Sequence, residues 1–221
     1  MNIKIFFDEI LQQDQTKFKT LIKTINSLED PNDGLSLALK FNNLTKDYED
    51  SLISNLFIKD LPPNFKINTW TNLEVARVYF LMEILNKFDK KYDFVVEELF
   101  QTAGISELVA LYKSLPFLPE PVKFLSRAQE GARSNINLIF NAIALNNIYP
   151  MNFFDENTWN HLVLKAFFIE SDVSQIIGLQ KRANPTLVHM LTDFANERIA
   201  AGREVNPRLW KVIKLSQDRL S

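Results

Sequence analysis

The chain has 221 residues, of which 46% are hydrophobic and 24% charged, and it contains no cysteine. This composition predicts a folded globular protein and excludes a disordered chain, a disulfide framework, a thiolate nucleophile and a cysteine-ligated metal centre. The formal net charge of −2 gives no bulk attraction to nucleic acid or to anionic lipid, so neither is an expected partner.

The N-terminal segment does not have the pattern of a targeting sequence. Its residues, MNIKIFFDEILQQD, contain an apolar run that Asp8 and Glu9 interrupt, and the run is too short for a signal peptide. No window of the chain approaches the ~20 uncharged apolar residues that a membrane span requires. We therefore expect a cytoplasmic protein without a transmembrane segment.

Apolar residues recur at helical spacing along almost the whole chain, whereas strict alternation over the length of a strand is hard to find. In chain order, helical periodicity covers the segments 3–11, 18–28, 35–42, 47–58, 72–87, 92–102, 105–115, 123–147 and 156–169, one that begins at Pro185, and a short one that begins at Pro207 and carries Trp210. We expect these segments to form about nine to ten helices in one all-α domain over residues 1–221, as a compact bundle or a short helical-repeat array.

Residues with special backbone preferences mark several of the expected helix ends. Asp155 and Asn184 precede helices as N-cap residues, and proline follows Asn184 at the first helical position. Gly202 lies just past the end of that helix, and Gly104 stands where a C-terminal glycine is expected. Three prolines lie close together at Pro116, Pro119 and Pro121. They predict an extended segment between two helices.

No catalytic motif is present. The chain lacks the phosphate-binding loop, the dinucleotide-binding glycine motif and the hydrolase nucleophile elbow, and neither His161 nor His189 has zinc-protease or di-iron spacing. The residues His189, Asp193 and Glu197 recur at i, i+4 and i+8, a spacing that could ligate a metal. The favoured interpretation is a solvated helix face with Arg182 and Arg198 nearby, and we expect no metal and no cofactor.

We expect Pro150 to close the helical segment 123–147, which carries polar residues at helical spacing within an apolar sequence. One side of a helical wheel holds Arg127, Glu130, Arg133, Ser134, Asn137 and Asn141. An ordinary solvated face is one interpretation. The other is a semi-buried polar seam, because no lysine occurs between Lys123 and Lys165 and because arginine suits fixed hydrogen bonding better than lysine does. On that hypothesis Arg133 and Glu130 pair, with each other or with the helices at 155–165 or 184–198, at a site less than half exposed.

The next helical segment, FFDENTWNHLVLKAFF (153–168), places three unusual residues in apolar surroundings: Trp159, Asn160 and Lys165. Packing of the indole, with a lysine amine that reaches solvent, is one interpretation. The alternative is a ligand pocket floored by Trp159, in which Lys165 and Arg133 receive an anionic group.

Four consecutive blocks resemble the EboA-domain family in order and spacing: ELVALYKSLPFLPEP (107–121), EGARSNINLIFNAIALNNIYP (130–150), the segment at 153–168, and GLQKRANPTLVHMLTDFANERIAAGREVNPRLW (178–210). The resemblance is close over about 70–210. It implies a bacterial protein whose gene lies beside those of a prenyltransferase, a metal-dependent hydrolase, a sugar-isomerase-like barrel and a dehydroquinate-synthase-like protein. Such clusters are associated with making secondary metabolites or moving their precursors towards the cell envelope.

Many positions that match the family's blocks are polar. Two positions depart from the pattern: Asn146 stands where members often carry arginine, and Ile148 where proline is usual. The matched positions are Arg127, Glu130, Arg133, Ser134, Asn135, Tyr149, Pro150, Asp155, Trp159, Asn160, Lys165, Arg182, Asn184, Asp193, Glu197, Arg198 and Arg203. These matches and the helical wheel together give the candidates for binding a ligand or partner. They are Arg127, Glu130, Arg133, Asn137, Asn141, Trp159, Asn160, Lys165, Arg182, Asp193, Glu197 and Arg198.

The favoured function is that of an accessory protein of a secondary-metabolite cluster, which binds another protein of the cluster or an apolar, anionic precursor. The alternative is an enzyme of unrecognised mechanism, with Glu130 or Glu197 as general acid or base and Arg133 or Lys165 stabilising a developing anion. Since the matched polar residues lie on three separate helices, we predict one common cleft. The residues expected around it are Arg133, Trp159, Lys165, Arg182 and Glu197.

Overall fold

The computed structural model describes residues 3–53, 65–88 and 92–220, and most of them are helical. Within these ranges there are twelve α-helices, more than the predicted nine to ten, and the all-α prediction is confirmed. They are α1 (Ile3–Leu11), α2 (Gln15–Asn26), α3 (Gly34–Asn43), α4 (Asn72–Lys87), α5 (Tyr92–Thr102), α6 (Ile105–Ser114), α7 (Leu125–Arg133), α8 (Asn137–Ala144), α9 (Tyr149–Phe153), α10 (Glu156–Phe168), α11 (Pro185–Ala200) and α12 (Pro207–Leu220). None of the helices described is long and apolar enough to cross a membrane.

The helix ends follow the predicted capping residues at α10 and α11. The side chain of Asp155 accepts from the backbone N–H of Thr158 at 2.6 Å, and that of Asn184 accepts from Leu187 N–H at 2.8 Å. Gly202 follows α11 with a φ of +67°, in the left-handed region where glycine is preferred. These local signals fix the start of α10 and both ends of α11.

The chain divides into two compact units, Met1–Pro119 and Glu120–Ser221. In the first unit α4 is the central helix and packs against α1, α2, α5 and α6, while α3 packs against α5. Eleven of the sixteen residues of α4 are buried, as the lack of a polar face predicts. A capping box starts this helix, since Thr71 accepts from the N–H of Glu74 and the Glu74 carboxylate accepts from the N–H of Thr71.

A buried ion pair joins three helices of the first unit. The Arg77 side chain is fully buried and donates at 2.7 Å both to Glu107 Oε1 and to Ser106 Oγ. Asn42 Nδ2 donates to the same carboxylate oxygen at 3.1 Å. Burial lowers the pKa of Arg77, and the Glu107 carboxylate opposes that shift. The pair therefore ties α4 to α6, and Asn42 ties α3 to both.

In the second unit α7 packs against α8, α9 and α10, α10 packs against α11, and α11 packs against α12.

The predicted continuous helix over 123–147 is wrong. The chain leaves the helix at Ser134, whose ψ is 137°, and re-enters it at Asn137. Ser134 Oγ accepts from the N–H of Ile136 at 3.1 Å, and Lys165 Nζ donates to the Ser134 carbonyl at 2.8 Å. These contacts satisfy backbone groups that the break leaves without helical partners. Pro150 does not close a helix but lies in the first turn of α9.

The predicted helix over 47–58 is also wrong where it can be compared with the structure. Its described residues are not helical, and residues 54–58 lie outside the described ranges. The N–H of Ile53 donates to the carbonyl of Trp70 at 2.9 Å, next to an isolated antiparallel bridge. Backbone pairing with the segment that leads into α4 thus replaces the helical hydrogen bonds.

Two smaller expectations fail at turns. Gly104 has a φ of −77° and directly precedes α6, so it is not a left-handed glycine that ends α5. The proline-rich crossing is not extended, because 3-10 turns form at Leu115–Phe117 and Pro121–Phe124. The fixed φ of proline is compatible with the first turn of such a helix.

Candidate functional site

A cavity of about 690 Å³ lies between α7, α10 and α11 in the second unit. We call it the basic cavity. Its apolar lining residues are Ala132, Leu162, Leu164, Phe168, Ile169 and Phe194, and its polar lining residues are Gln129, Arg133, Asn135, Asn157, Thr158, His161, Lys165 and Glu197. The volume lies within the range of small-molecule sites, roughly 300–1,000 Å³.

Lys165 is the most constrained cation of the basic cavity. Its ammonium donates to the Ser134 carbonyl and lies 5.2 Å from the centre of the Phe140 ring. Partial burial lowers the pKa of Lys165, because desolvation penalises the charged form. Among the described residues, no carboxylate contacts the Lys165 ammonium. An incoming anion would therefore supply its counter-charge.

Arg133 and Glu197 line the same cavity from the other two helices. Arg133 is exposed in the last turn of α7, and its side chain makes no ion pair or hydrogen bond with other described residues. Glu197 is exposed on α11. Three of the five residues predicted to share a cleft are therefore brought together, and two of them are the expected cations.

Trp159 and Arg182 do not line the basic cavity, which corrects the prediction of a tryptophan floor. Trp159 is completely buried, and the Arg182 guanidinium lies 4.9 Å from its ring centre. Arg182 also donates to the carbonyl of Pro150 at 2.9 Å, and desolvation lowers its pKa. Lys165 follows Trp159 by six positions on α10, so the two side chains point about 120° apart.

The polar seam does not form. Glu130 pairs with Arg127 at 2.9 Å instead of with Arg133, and its side chain is 61% exposed. A partner at i−3 was as close in sequence as one at i+3, and the helix ends at Arg133. Beyond the break, Asn137 is exposed, whereas Asn141 accepts a hydrogen bond from Ser171 at 2.8 Å. The stripe drawn on one helical wheel thus belongs to two helices with different surroundings.

The other candidate residues have local partners. Asn160 is buried and bonds to Asn184. Arg198 Nε donates to the carbonyl of Glu204 at 2.7 Å, which fastens the turn after α11. Asp193 lies 3.4 Å from His189 in an exposed pair, and the ranges described contain no group of three metal-ligating side chains that could hold an ion.

The model of the family described as metabolite traffic protein EboA matches residues 42–214. The chain belongs to the EboA family. The match begins well before the blocks that carry the close resemblance, and it includes every helix that lines the basic cavity. No curated protein and no solved structure matches the chain.

The largest contribution to the basic cavity of this EboA-family chain comes from one face of α10, which sequence reasoning missed except for Lys165. Asn157, His161, Lys165 and Phe168 follow one another at i, i+4, i+8 and i+11, and all four line the cavity. This periodicity was available in the sequence. The predicted cleft instead took Trp159 as its floor, and Trp159 lies on the buried side of the helix.

Proposed function

We propose that this EboA-family protein is an accessory protein that binds an apolar, anionic small metabolite in the basic cavity. One observation carries the proposal: cationic side chains from two helices, Arg133 of α7 and Lys165 of α10, line one cavity whose accessible surface is mostly apolar. The family description as a metabolite traffic protein supports a role in handling a metabolite. Transfer of that metabolite to other proteins of a gene cluster stays a prediction.

The chemistry of the ligand follows from the walls. Phe168, Phe194 and Leu164 offer hydrocarbon surface, and burial of apolar ligand area contributes roughly 25 cal/mol per Å² before the cost of association is subtracted. A carboxylate, sulfonate or phosphate would accept charge-assisted hydrogen bonds from the Lys165 ammonium and the Arg133 guanidinium. The ligand class is therefore a compact apolar body with one anionic group.

The geometry gives less support to an enzyme. Glu130, one of the two proposed acid–base residues, does not line the basic cavity and is paired with Arg127. Glu197 lines it but is exposed on the surface of α11. Binding without chemistry is the function that we propose.

A pair of fluorescent probes tests the proposal. 1-Anilinonaphthalene-8-sulfonate is an apolar anion, and N-phenyl-1-naphthylamine has the same ring system without the sulfonate. We expect the sulfonate probe to bind the folded protein more tightly than the neutral probe. Lys165→Met should weaken binding of the sulfonate about tenfold, the equivalent of one charge-assisted hydrogen bond, and should leave the neutral probe unaffected.

Lys214→Met is the matched control, because Lys214 is an exposed lysine of the same unit outside the cavity lining. Its affinity for both probes should equal that of the wild type, and melting temperatures would show whether each variant is folded. The proposal fails if the two probes bind the wild type equally, or if Lys165→Met and Lys214→Met have the same affinity for the sulfonate.

A further inference from the structure

A second cavity, of about 320 Å³, lies in the first unit between α3, α5 and the start of α6. We call it the acidic groove. Its apolar lining residues are Leu35, Ala38, Leu39, Phe41, Leu99 and Ala103, and its polar lining residues are Asn42, Glu98, Thr102 and Glu107. Its volume is at the lower end of small-molecule sites, about 300 Å³, so it would hold a ligand of few atoms.

The two carboxylates of the acidic groove differ in their electrostatic balance. Glu107 is buried and neutralised by Arg77. Glu98 is partly buried, and its side chain forms no ion pair or hydrogen bond with the rest of the described chain. It packs directly on Gly34, where a Cβ atom would collide with it. The Glu98 carboxylate therefore lies against the first turn of α3, whose N-terminus favours negative charge. Asp33 caps the same helix and already accepts a hydrogen bond from one of its free N–H groups.

The rim of the acidic groove exposes hydrocarbon to an unusual degree. Leu35 is 72% exposed and Leu39 is 54% exposed, and the two are one helical turn apart on α3. Leu99 and Ala103 face them across the groove from α5 and the residues that follow it. A ligand that covers these side chains would remove apolar surface from water at the same place where it meets the carboxylate.

We infer that the acidic groove binds a small aliphatic amine, with its ammonium against Glu98 and its chain along Leu35 and Leu39. The amine class follows from charge, because no described residue gives Glu98 a counter-ion and the described lining of the groove contains no lysine or arginine. The aliphatic class follows from the leucine walls. This site is independent of the proposed function, since it lies in the other unit and prefers the opposite charge.

The test is a titration with hexylammonium chloride, followed by backbone amide chemical shifts of the full-length protein. Hexan-1-ol is the neutral probe with the same chain. We expect shifts in residues 34–42 and 98–107 with hexylammonium, and binding at least about fivefold weaker for hexan-1-ol, the equivalent of one partly exposed ion pair. Glu98→Gln should reduce hexylammonium affinity by the same factor.

Glu9→Gln is the matched control, because Glu9 is an exposed glutamate of α1 outside the groove. Its affinity should equal that of the wild type. Ala38→Phe should abolish binding of both probes by filling the groove, and its melting temperature reports whether it is folded. Equal affinities for the two probes, an unchanged affinity in Glu98→Gln, or the absence of shifts at the groove would each overturn the inference.

Discussion

Asn160 and Asn184 exchange two hydrogen bonds within the second unit. Asn160 Nδ2 donates to Asn184 Oδ1 at 3.1 Å, and Asn184 Nδ2 donates to Asn160 Oδ1 at 2.8 Å. Both side chains are buried, at 1% and 8% exposed. Because Asn184 Oδ1 also caps α11, this amide pair fixes the start of α11 against the middle of α10, two of the three helices that line the basic cavity.

Replacing Asn184 should therefore cost more than an ordinary cap. Asn184→Ala removes the cap, at about 1 kcal/mol, and leaves the buried Asn160 amide unsatisfied, at about 1–3 kcal/mol, so the free energy of unfolding should fall by about 2–4 kcal/mol. Denaturant unfolding measures the change. Asn196→Ala, at an exposed position of the same helix, is the control. A similar loss in both variants would show that the amide pair contributes nothing special.

The buried ion pair of the first unit predicts an asymmetric response. Glu107→Ala leaves the fully buried Arg77 guanidinium without its counter-charge and should lower the free energy of unfolding by about 3–5 kcal/mol. The double substitution Arg77→Met with Glu107→Leu should recover most of that loss. The reference is Glu9→Ala on the surface of α1. If Glu107→Ala unfolds at the same denaturant concentration as this reference, leaving Arg77 without its counter-charge does not destabilise the protein, and the prediction is wrong.

Substitutions of Arg133 and of Lys165 should differ in their effect on the free energy of unfolding, although both residues line the basic cavity. Arg133→Ala should change the free energy of unfolding by less than about 0.5 kcal/mol, because its side chain is exposed and unpaired among the described residues. Lys165→Ala should cost about 1 kcal/mol, because the Ser134 carbonyl loses its donor. Equal melting temperatures for the two variants would contradict the role of Lys165 at the break between α7 and α8.

Protonation of Asp172 should make the free energy of unfolding fall at acid pH. Hydrogen bonds from Ser174 and Gln175 lower the pKa of Asp172 to about 2 from 3.8, with a smaller contribution from Arg208. A lowered carboxyl pKa means that the stabilisation is complete above about pH 4 and is lost as the pH falls through 2. The stability difference between the wild type and Asp172→Asn should therefore shrink over this interval, as followed by urea unfolding. A difference that is constant with pH would exclude the carboxylate as its source.

The lowered pKa of Lys165 predicts how binding of the sulfonate probe depends on pH. Deprotonation neutralises the ammonium, so affinity should decline as the pH rises, and it should do so at a lower pH than an ordinary lysine would require. The Lys165→Met variant should show no such decline. Fluorescence titrations at several pH values measure it, and parallel curves for the two proteins would contradict the assignment of Lys165 to the anion.

The helix boundaries that sequence predicted well depend on contacts within a few residues. Asn184 and its following proline start α11, Gly202 ends it, and the apolar segment of α4 is buried as expected. The break at Ser134 was missed because both halves of 123–147 are amphipathic, and because it is stabilised by Lys165, thirty-one residues away in sequence. A periodic pattern does not contain that contact.

The sequence predicted the two cations of the basic cavity but misplaced its floor. Arg133 and Lys165 were expected to serve one anion, and they do line one cavity. Trp159 was assigned to it because of its chemistry, whereas its direction on α10 turns the ring into the core, where Arg182 covers it. The buried pair of Arg77 and Glu107 was not predicted at all, since charged residues within an apolar helix can be told from surface residues only when their partners are known.

Amide hydrogen–deuterium exchange, with and without 1-anilinonaphthalene-8-sulfonate, tests most directly whether the basic cavity is the ligand site. We expect slower exchange on binding in residues 129–135, 157–169 and 194–197, and weaker protection there in Lys165→Met. Protection confined to other segments, or equal protection in the wild type and in Lys165→Met, would contradict it.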